Sequence, residues 1–331
     1  MQEATVGVVG AGWMATDYHI PAYRAHGGSR VVAVAELNPD RRRAVAEEFG
    51  LAGYADVESM LAGEDLDVVS ICTPPSTHRD VFLAAVEAGC HVFCEKPLTV
   101  DAASAAEMRD AAEASGVVTQ VGYNARYYEN TKRVVAMVRA DLLGELVEAR
   151  TVHHSTPPSQ SWYYDPAVSG GGVLRDLGPH LLDVHLELFG TPEVSRSRTR
   201  RVRTEAVEDA VDVGLEFDGV PVTLSVSWSQ PDVYSRTSVV GTDGWVEYDQ
   251  ERLEGAIHGR DFEFRHGESP LVDLGVTSLF GATSDDAQTE RIHDFVDHVL
   301  AGDPDTAVPA SRGATVVELI DDIYAEAGEP A

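Results

Sequence analysis

The chain has 331 residues, 44% hydrophobic and 7% aromatic, with 55 acidic side chains against 25 basic ones and a formal net charge of −30. That length and apolar content suit one large or two ordinary cored domains and exclude a disordered chain, while so negative a surface repels nucleic acid and anionic membrane. No window approaches 18 uninterrupted apolar residues and the N-terminus enters a strand directly, so neither a transmembrane span nor a secretory signal is expected.

The acidic residues are scattered through amphipathic segments rather than gathered in a tail, and only two lysines, Lys96 and Lys132, occur. We read this as adaptation to a high-salt cytoplasm, where a short Debye length damps self-repulsion. Cys72, Cys90 and Cys94 are an odd number without metal-like pairing, the usage of reduced, buried thiols in a cytoplasmic protein.

In chain order, apolar runs at 4–10, 31–36, 66–72, 91–94 and 117–121 read as buried strands. Helical stretches separate them, to about residue 26, then at 39–49 with Asn38 as cap, 76–88 and 101–115. Strands apolar throughout and alternating with helices predict a doubly wound parallel sheet covered on both faces, an α/β domain over residues 1–122. From residue 123 to 331 the rhythm changes to a second α/β domain. A helix at 129–140 leads to a strand at 146–153, a Pro-, Ser- and aromatic-rich loop runs from 155 to 172, and a helix ends near 189. Short strands with turn signals at Asp218-Gly219 and Asp243-Gly244 then form an antiparallel sheet over 202–247, and helices at 285–301 and 310–327 close the chain.

Gly10-x-Gly12-x-x-Ala15 follows the first strand and opens a helix, and Glu36 stands at the end of the second strand. That is the context of a dinucleotide fingerprint: the glycines allow a tight turn and close approach to a pyrophosphate, which rests on the helix N-terminus. Gly10, Gly12, Trp13 and Met14 are accordingly assigned to cofactor binding. Glu36 would accept hydrogen bonds from ribose hydroxyls and repel a 2′-phosphate, favouring NAD, with NADP left open by the neighbouring Arg41, Arg42 and Arg43. Thr73 and Pro74, past the third strand, are placed to line the cofactor with backbone groups; His78 joins them as a first-turn helix residue without a catalytic role. Glu95-Lys96-Pro97 lies past the fourth strand, at the carboxyl edge where open α/β sheets bind ligands. A lysine there, unlike arginine, shifts its pKa readily and can share a proton. Glu95 and Lys96 are also assigned to the cofactor side.

The stretch from Ser169 through Gly170-Gly171-Gly172 to Asp183 is the second informative one. On a helical wheel Asp176, His180, Asp183 and Glu187 share an arc of roughly 60°, either a solvent face or the lining of a cleft. Pro179 kinks such a helix at ~3 kcal/mol or makes it begin near Gly178.

The fingerprint, Glu95-Lys96-Pro97, Gly122-Tyr123-Asn124-x-Arg126 and the glycine-rich stretch carrying Asp176, His180 and Asp183 together resemble the Gfo/Idh/MocA family, over nearly the whole chain and in order. Alanine in the third fingerprint position, Ala125 where a basic residue is common, and Pro179 depart from its pattern. The resemblance implies a Rossmann domain followed by an α/β domain with a large open, mostly antiparallel sheet used for oligomerisation, as a homodimer or homotetramer. It implies NAD(P)-dependent oxidation of a secondary hydroxyl on a sugar or cyclitol, with Lys96, Asp176 and His180 as the catalytic residues. By residue chemistry, His180 takes the hydroxyl proton, Lys96 donates a hydrogen bond to the oxygen, and Asp176 orients one of them. Tyr123, Asn124, Arg126, His153, Trp162, Tyr163 and Arg175 are candidates for substrate recognition, Arg175 as a hydroxyl donor or the salt-bridge partner of Asp176.

Three rival readings differ in chemistry. A metal site from Asp176, His180, Asp183 and His185 is disfavoured because His185 points ~140° from His180 on an ideal helix, so no metal is expected. An NAD-using glycosidase would cleave a glycoside without net NADH, and a non-catalytic cofactor-binding regulator would have no need of Lys96 and His180.

Overall fold

The computed structural model describes residues 3–266 and 286–329. It contains two compact units, one of residues 1–123, 167–170 and 288–318, the other of 124–166, 171–287 and 319–331.

In the first unit, β1 (Ala4–Val9), β2 (Ser29–Ala35), β3 (Ala52–Tyr54), β4 (Val68–Ile71), β5 (His91–Cys94) and β6 (Thr119–Val121) form one sheet in the order β3-β2-β1-β4-β5-β6. Every pairing is parallel, and the order is that of a Rossmann fold. Val6, Val8, Val68, Val69, Ile71, Val92 and Phe93 are fully buried, as expected of strands covered on both faces. The helix Pro39–Phe49 begins where its capping residue placed it: the Asn38 side chain accepts hydrogen bonds from Asp40 N and Arg41 N. Asp101 caps Ala102–Ser115 in the same way. The edge strand β3 was not expected; three residues with a central glycine carry no strand pattern, and pairing with Ala33–Ala35 creates the strand.

The single domain cut between residues 122 and 123 is corrected at the far end of the chain. Residues 288–318 belong with the first unit, where Ile292, Phe295 and Val296 share a buried cluster with Val6, Val8, Ile20 and Phe93. An amphipathic helix announces its apolar stripe but not which sheet that stripe covers.

The second unit holds an eight-stranded mixed sheet in the order β14-β13-β12-β11-β7-β10-β9-β8. Its strands are β7 (Leu146–His154), β8 (Glu193–Arg200), β9 (Ala210–Phe217), β10 (Val220–Ser227), β11 (Tyr234–Gly241), β12 (Gly244–Tyr248), β13 (Arg252–Ile257) and β14 (Arg260–Arg265). All pairings are antiparallel except β10 with β7. The sheet thus runs beyond the expected 202–247 at both ends. Asp218-Gly219 makes the expected two-residue hairpin, both residues at positive φ; His258-Gly259 makes a second one. At the other expected turn Gly244 is already the first residue of β12.

The helices Glu129–Arg139 and Val173–Phe189 pack on each other and on this sheet, at β12 and at β9 and β10 respectively. The second keeps Pro179 in its interior, so a start near Gly178 is corrected to Val173. The cause is Glu208, whose carboxylate accepts Gly172 N and Leu174 N at 3.0 to 3.1 Å and whose carbonyl accepts Val173 N at 3.0 Å. With its free N–H groups satisfied and a carboxylate at its positive end, the first turn forms ahead of the proline. A Cβ on Gly172 would overlap the Glu208 carbonyl oxygen, which explains the last of the three glycines. The expected helix at 285–301 is observed as Ala287–Ala301, residue 285 lying outside the described residues, and the last helix as Ala310–Glu326.

Candidate active site

The first unit carries its candidate residues at the carboxyl ends of β1, β4 and β5. Gly10 turns the chain at φ +91°, and its N–H donates to Ala35 O. Glu36 accepts Ala11 N at 3.0 Å and Asn38 N at 2.9 Å, tying the fingerprint turn to the end of β2. An added Cβ on Gly12 meets nothing within 4 Å. That open approach, the following helix start and the Glu36 carboxylate fit a dinucleotide pyrophosphate and ribose. Gly12→Ala should leave the urea midpoint unchanged within the error expected for a surface substitution, about 0.5 kcal/mol. It should weaken NAD binding at least about tenfold, or about 1.4 kcal/mol, which a fluorescence titration would read. Trp13 is exposed and packs edge-on against Tyr18, and Met14 is half-buried.

The helix after the fingerprint opens as a wide π-type turn, Met14–His19, a form often found beside functional sites. It carries His19 into the interior, where Nδ1 lies 2.8 Å from Ser70 Oγ and Nε2 lies 2.9 Å from Glu95 Oε1. Glu95 Oε1 also receives Arg291 at 2.7 Å, and Glu95 Oε2 accepts Lys96 N at 3.2 Å. Arg291 lies over the Phe93 ring, and its carbonyl accepts Gln120 Nε2. Burial alone would raise the Glu95 carboxyl, but Arg291 and His19 more than reverse this and hold it well below the usual carboxylate range. Burial lowers the His19 pKa, so a neutral imidazole donates from Nε2 to Glu95 and accepts from Ser70. Glu95 is therefore held by Arg291, His19 and the backbone N–H of the half-buried Lys96.

His78 is fully buried, with Nδ1 2.9 Å from Pro97 O and Nε2 2.7 Å from Thr73 O, so it ties the Thr73-Pro74 loop to the loop after Lys96. Thr73 and Pro74 are half-buried and Tyr123 is fully buried.

In the second unit, Asp176 and His180 stand one turn apart on the Val173–Phe189 helix. Trp228 Nε1 donates to Asp176 Oδ2 at 3.2 Å. His180 lines a cavity of about 230 Å³, shared with Asn124, His153, Ser235, Thr151 and His185. His153 Nδ1 lies 2.9 Å from Ser235 Oγ; burial lowers its pKa against the upward pull of Asp176. Trp162 and Tyr163 stack at 3.8 Å, and Tyr163 and Tyr164 meet the buried Trp228 ring edge-on. The aromatic loop and the aspartate therefore share one indole.

The remaining stripe residues have other tasks. Arg126 forms a two-pronged pair with Asp183, at 2.9 and 2.8 Å, and also pairs with Glu187. Arg175 is 1% exposed, ion-paired with Asp321 and set over the Tyr324 ring. The guanidinium groups of Arg126 and Arg175, both expected at the substrate, are engaged by buried or half-buried carboxylates. Asp183 pairs with Arg126, His185 lies against Thr151 and Asp176 accepts from Trp228. His19, Arg291, Glu208 and Trp228 were not anticipated; each meets its partner from a remote part of the chain, and only the acidic residue at 208 just ahead of a strand offered any signal.

His185 is pushed down to about 4 by burial. Its folded-state value lies below the unfolded one, so its contribution to stability is complete above pH 6.5 and is lost as pH falls from 6.5 towards 4. At about 1.4 kcal/mol per unit the loss approaches ~3 kcal/mol. Urea midpoints measured between pH 7 and 4 should fall more steeply for the native chain than for His185→Gln; parallel curves would contradict this assignment.

Residues 4–123 match the family model described as oxidoreductase family, NAD-binding Rossmann fold, and residues 131–247 match the GFO/IDH/MocA C-terminal domain. The chain belongs to the Gfo/Idh/MocA oxidoreductase family. As a member it is an NAD(P)-dependent oxidoreductase whose Rossmann domain binds NAD. Among its family relatives, D-glucoside 3-dehydrogenase of Escherichia coli (strain K12) is 32% identical over 67% of this chain and 63% of its own length. Inositol 2-dehydrogenase of Rhizobium meliloti (strain 1021) is 30% identical over 87% of this chain and 82% of its own. The fold of levoglucosan dehydrogenase, solved with NADH and levoglucosan, superposes with a TM-score of 0.87 at 22% identity, covering 99% of this chain and 98% of that one.

Proposed function

We propose that this family member oxidises a secondary hydroxyl of a sugar or cyclitol, or reduces the corresponding ketone, with His180, Lys96 and Asp176 as its catalytic residues. The observation that carries the reading is His180 lining a cavity that also presents hydroxyl, amide and imidazole groups, one turn from an aspartate whose helix start and carboxylate are both fixed. Relatives named for dehydrogenation of a glucoside and of inositol support the substrate class. Bound NAD supplies the acceptor for the hydride of the carbinol carbon. His180 removes the hydroxyl proton as general base, and Lys96 donates a hydrogen bond to the oxygen as it gains negative charge. Asp176, held by Trp228, orients one of them. Lys96 is suited to its part because Glu95, its neighbour, is locked by Arg291 and His19 and fixes the Lys96 N–H.

The same reading extends to a homodimer or homotetramer, on the family resemblance, and to a salt-rich cytoplasm, on the support of the net charge of −30 and the near absence of lysine. The experiment is to follow absorbance of reduced cofactor while aldoses, inositols and sugar acids are offered with NAD and with NADP in molar KCl. NADH accumulating with a polyol is the expected result. Cleavage of a glycoside without net NADH would replace the dehydrogenase with a glycosidase, and inertness to the whole panel in both cofactors would remove the reading.

A further inference from the structure

The cavity beside His180 has a floor that the proposed reaction does not use. Thr151 on β7 pairs with Thr237 on β11 in the sheet register, and their hydroxyl oxygens are 2.9 Å apart. The same Thr151 oxygen is 2.9 Å from His185 Nε2. His185 is 1% exposed, and its Nδ1 has no hydrogen-bond partner among the described residues. All three residues line the cavity.

A buried imidazole nitrogen left unsatisfied costs about 1–3 kcal/mol, so this atom calls for a ligand group. Its role is adjustable. Hydroxyls both donate and accept, so the Thr237–Thr151–His185 chain can run in either direction, and Nδ1 presents a donor or an acceptor accordingly. A ligand hydroxyl satisfies both forms, whereas a carboxylate or phosphate oxygen satisfies only one.

Charge and size narrow the class. Among the described residues the lining contains no Lys or Arg, and its one carboxylate is Asp249; the stretch 267–285 has no basic residue in sequence. Burial keeps His185 neutral near pH 7. An anionic group seated on Thr151, Thr237 and His185 would find no cation among these lining residues, and Asp249 is itself already ion-paired with Arg236, an arrangement that disfavours an anion there. The volume of about 230 Å³ lies below the roughly 300–1,000 Å³ of pockets that enclose drug-sized ligands, which suits a single ring.

We propose that Thr151, Thr237 and His185 form a hydroxyl-binding subsite that selects one uncharged sugar or cyclitol ring over sugar acids and sugar phosphates. This deepens the dehydrogenase reading and rests on it for the fate of the ring, though not for its binding.

The test measures binding apart from turnover. Calorimetric titrations of the full chain with NADH present would use D-glucose, D-xylose and myo-inositol against D-glucuronate and D-glucose 6-phosphate. At least one neutral ring should bind at least tenfold tighter than either anion, and Thr151→Val should weaken it at least tenfold. Thr237→Val serves as the second variant should Thr151→Val lose its native melting transition. Anions binding as tightly, neutral affinity unchanged in a folded variant, or no neutral ring binding at all would overturn the subsite. Binding with the expected preference but no NADH formed from NAD would instead sink the dehydrogenase reading and leave the subsite standing. NADH formed as efficiently from glucuronate as from a neutral ring would do the reverse.

Discussion

His180→Ala is expected to lower turnover by about 10²- to 10⁴-fold, the scale for loss of a general base, with NAD affinity unchanged. His180 is not among the residues assigned to the cofactor, which are the fingerprint turn, Glu36 and the Thr73 loop of the first unit; it lines the cavity of the second. The fold should survive the change, because His180 is half-buried and the helix start is fixed elsewhere by Glu208. Steady-state rates with a neutral polyol, alongside a cofactor titration, make the measurement. Trp228→Phe keeps an aromatic ring against Tyr163 and Tyr164 but removes the donor to Asp176; it should lower the turnover number by less than His180→Ala does, with KM little changed. Wild-type turnover in His180→Ala would strip the residue of its role and direct attention to His153, the other imidazole on the cavity that feels Asp176.

The second large effect is on stability. Arg291→Met should destabilise the protein by about 3–5 kcal/mol, the scale for breaking a buried ion pair from one side. Arg291 is 1% exposed and Glu95 7%, so the substitution leaves a carboxylate inside the protein with neutral His19 as its remaining side-chain partner. The sign of the pH dependence checks the cause. In the native chain the Glu95 carboxyl is held below its usual range, so its contribution is present above about pH 4.5 and is lost as pH falls through the folded value. In Arg291→Met, burial raises that carboxyl, and the variant should gain stability relative to the native chain as the medium turns acid. Urea midpoints at pH 7 and pH 4.5 decide it; equal destabilisation at both would mean that lost packing on Phe93, not lost charge, is responsible. Adding Glu95→Gln to Arg291→Met should recover part of the loss.

Much of this fold was legible because its signals are local. A strand covered on both faces is apolar at every position, and a helix cap such as Asn38 acts two or three residues along the chain, so strand and helix positions in the first unit follow from short windows. The fingerprint is read the same way, since a tight turn and a close pyrophosphate approach impose their demands on consecutive residues. What was missed lies where pairing overrides pattern. β3 exists because β2 offers it an edge, and β8 and β14 extend the second sheet by pairing beyond the expected segment.

The candidate site divides along the same line. Glycines, a lysine past a strand end and a histidine one turn after an aspartate are chemical types at fixed spacing, and the sequence determined these by itself. It could not say which charged residues are consumed by the protein. Arg126, Arg175, Glu95 and His78 all looked available to a ligand, and tertiary structure gave each at least one partner between 19 and 196 positions away, from His78 on Pro97 to Glu95 on Arg291. The reason is physical: a buried charge or imidazole must find a hydrogen-bonding partner, and in a chain folded from distant segments that partner is fixed by packing and has no signature at neighbouring positions.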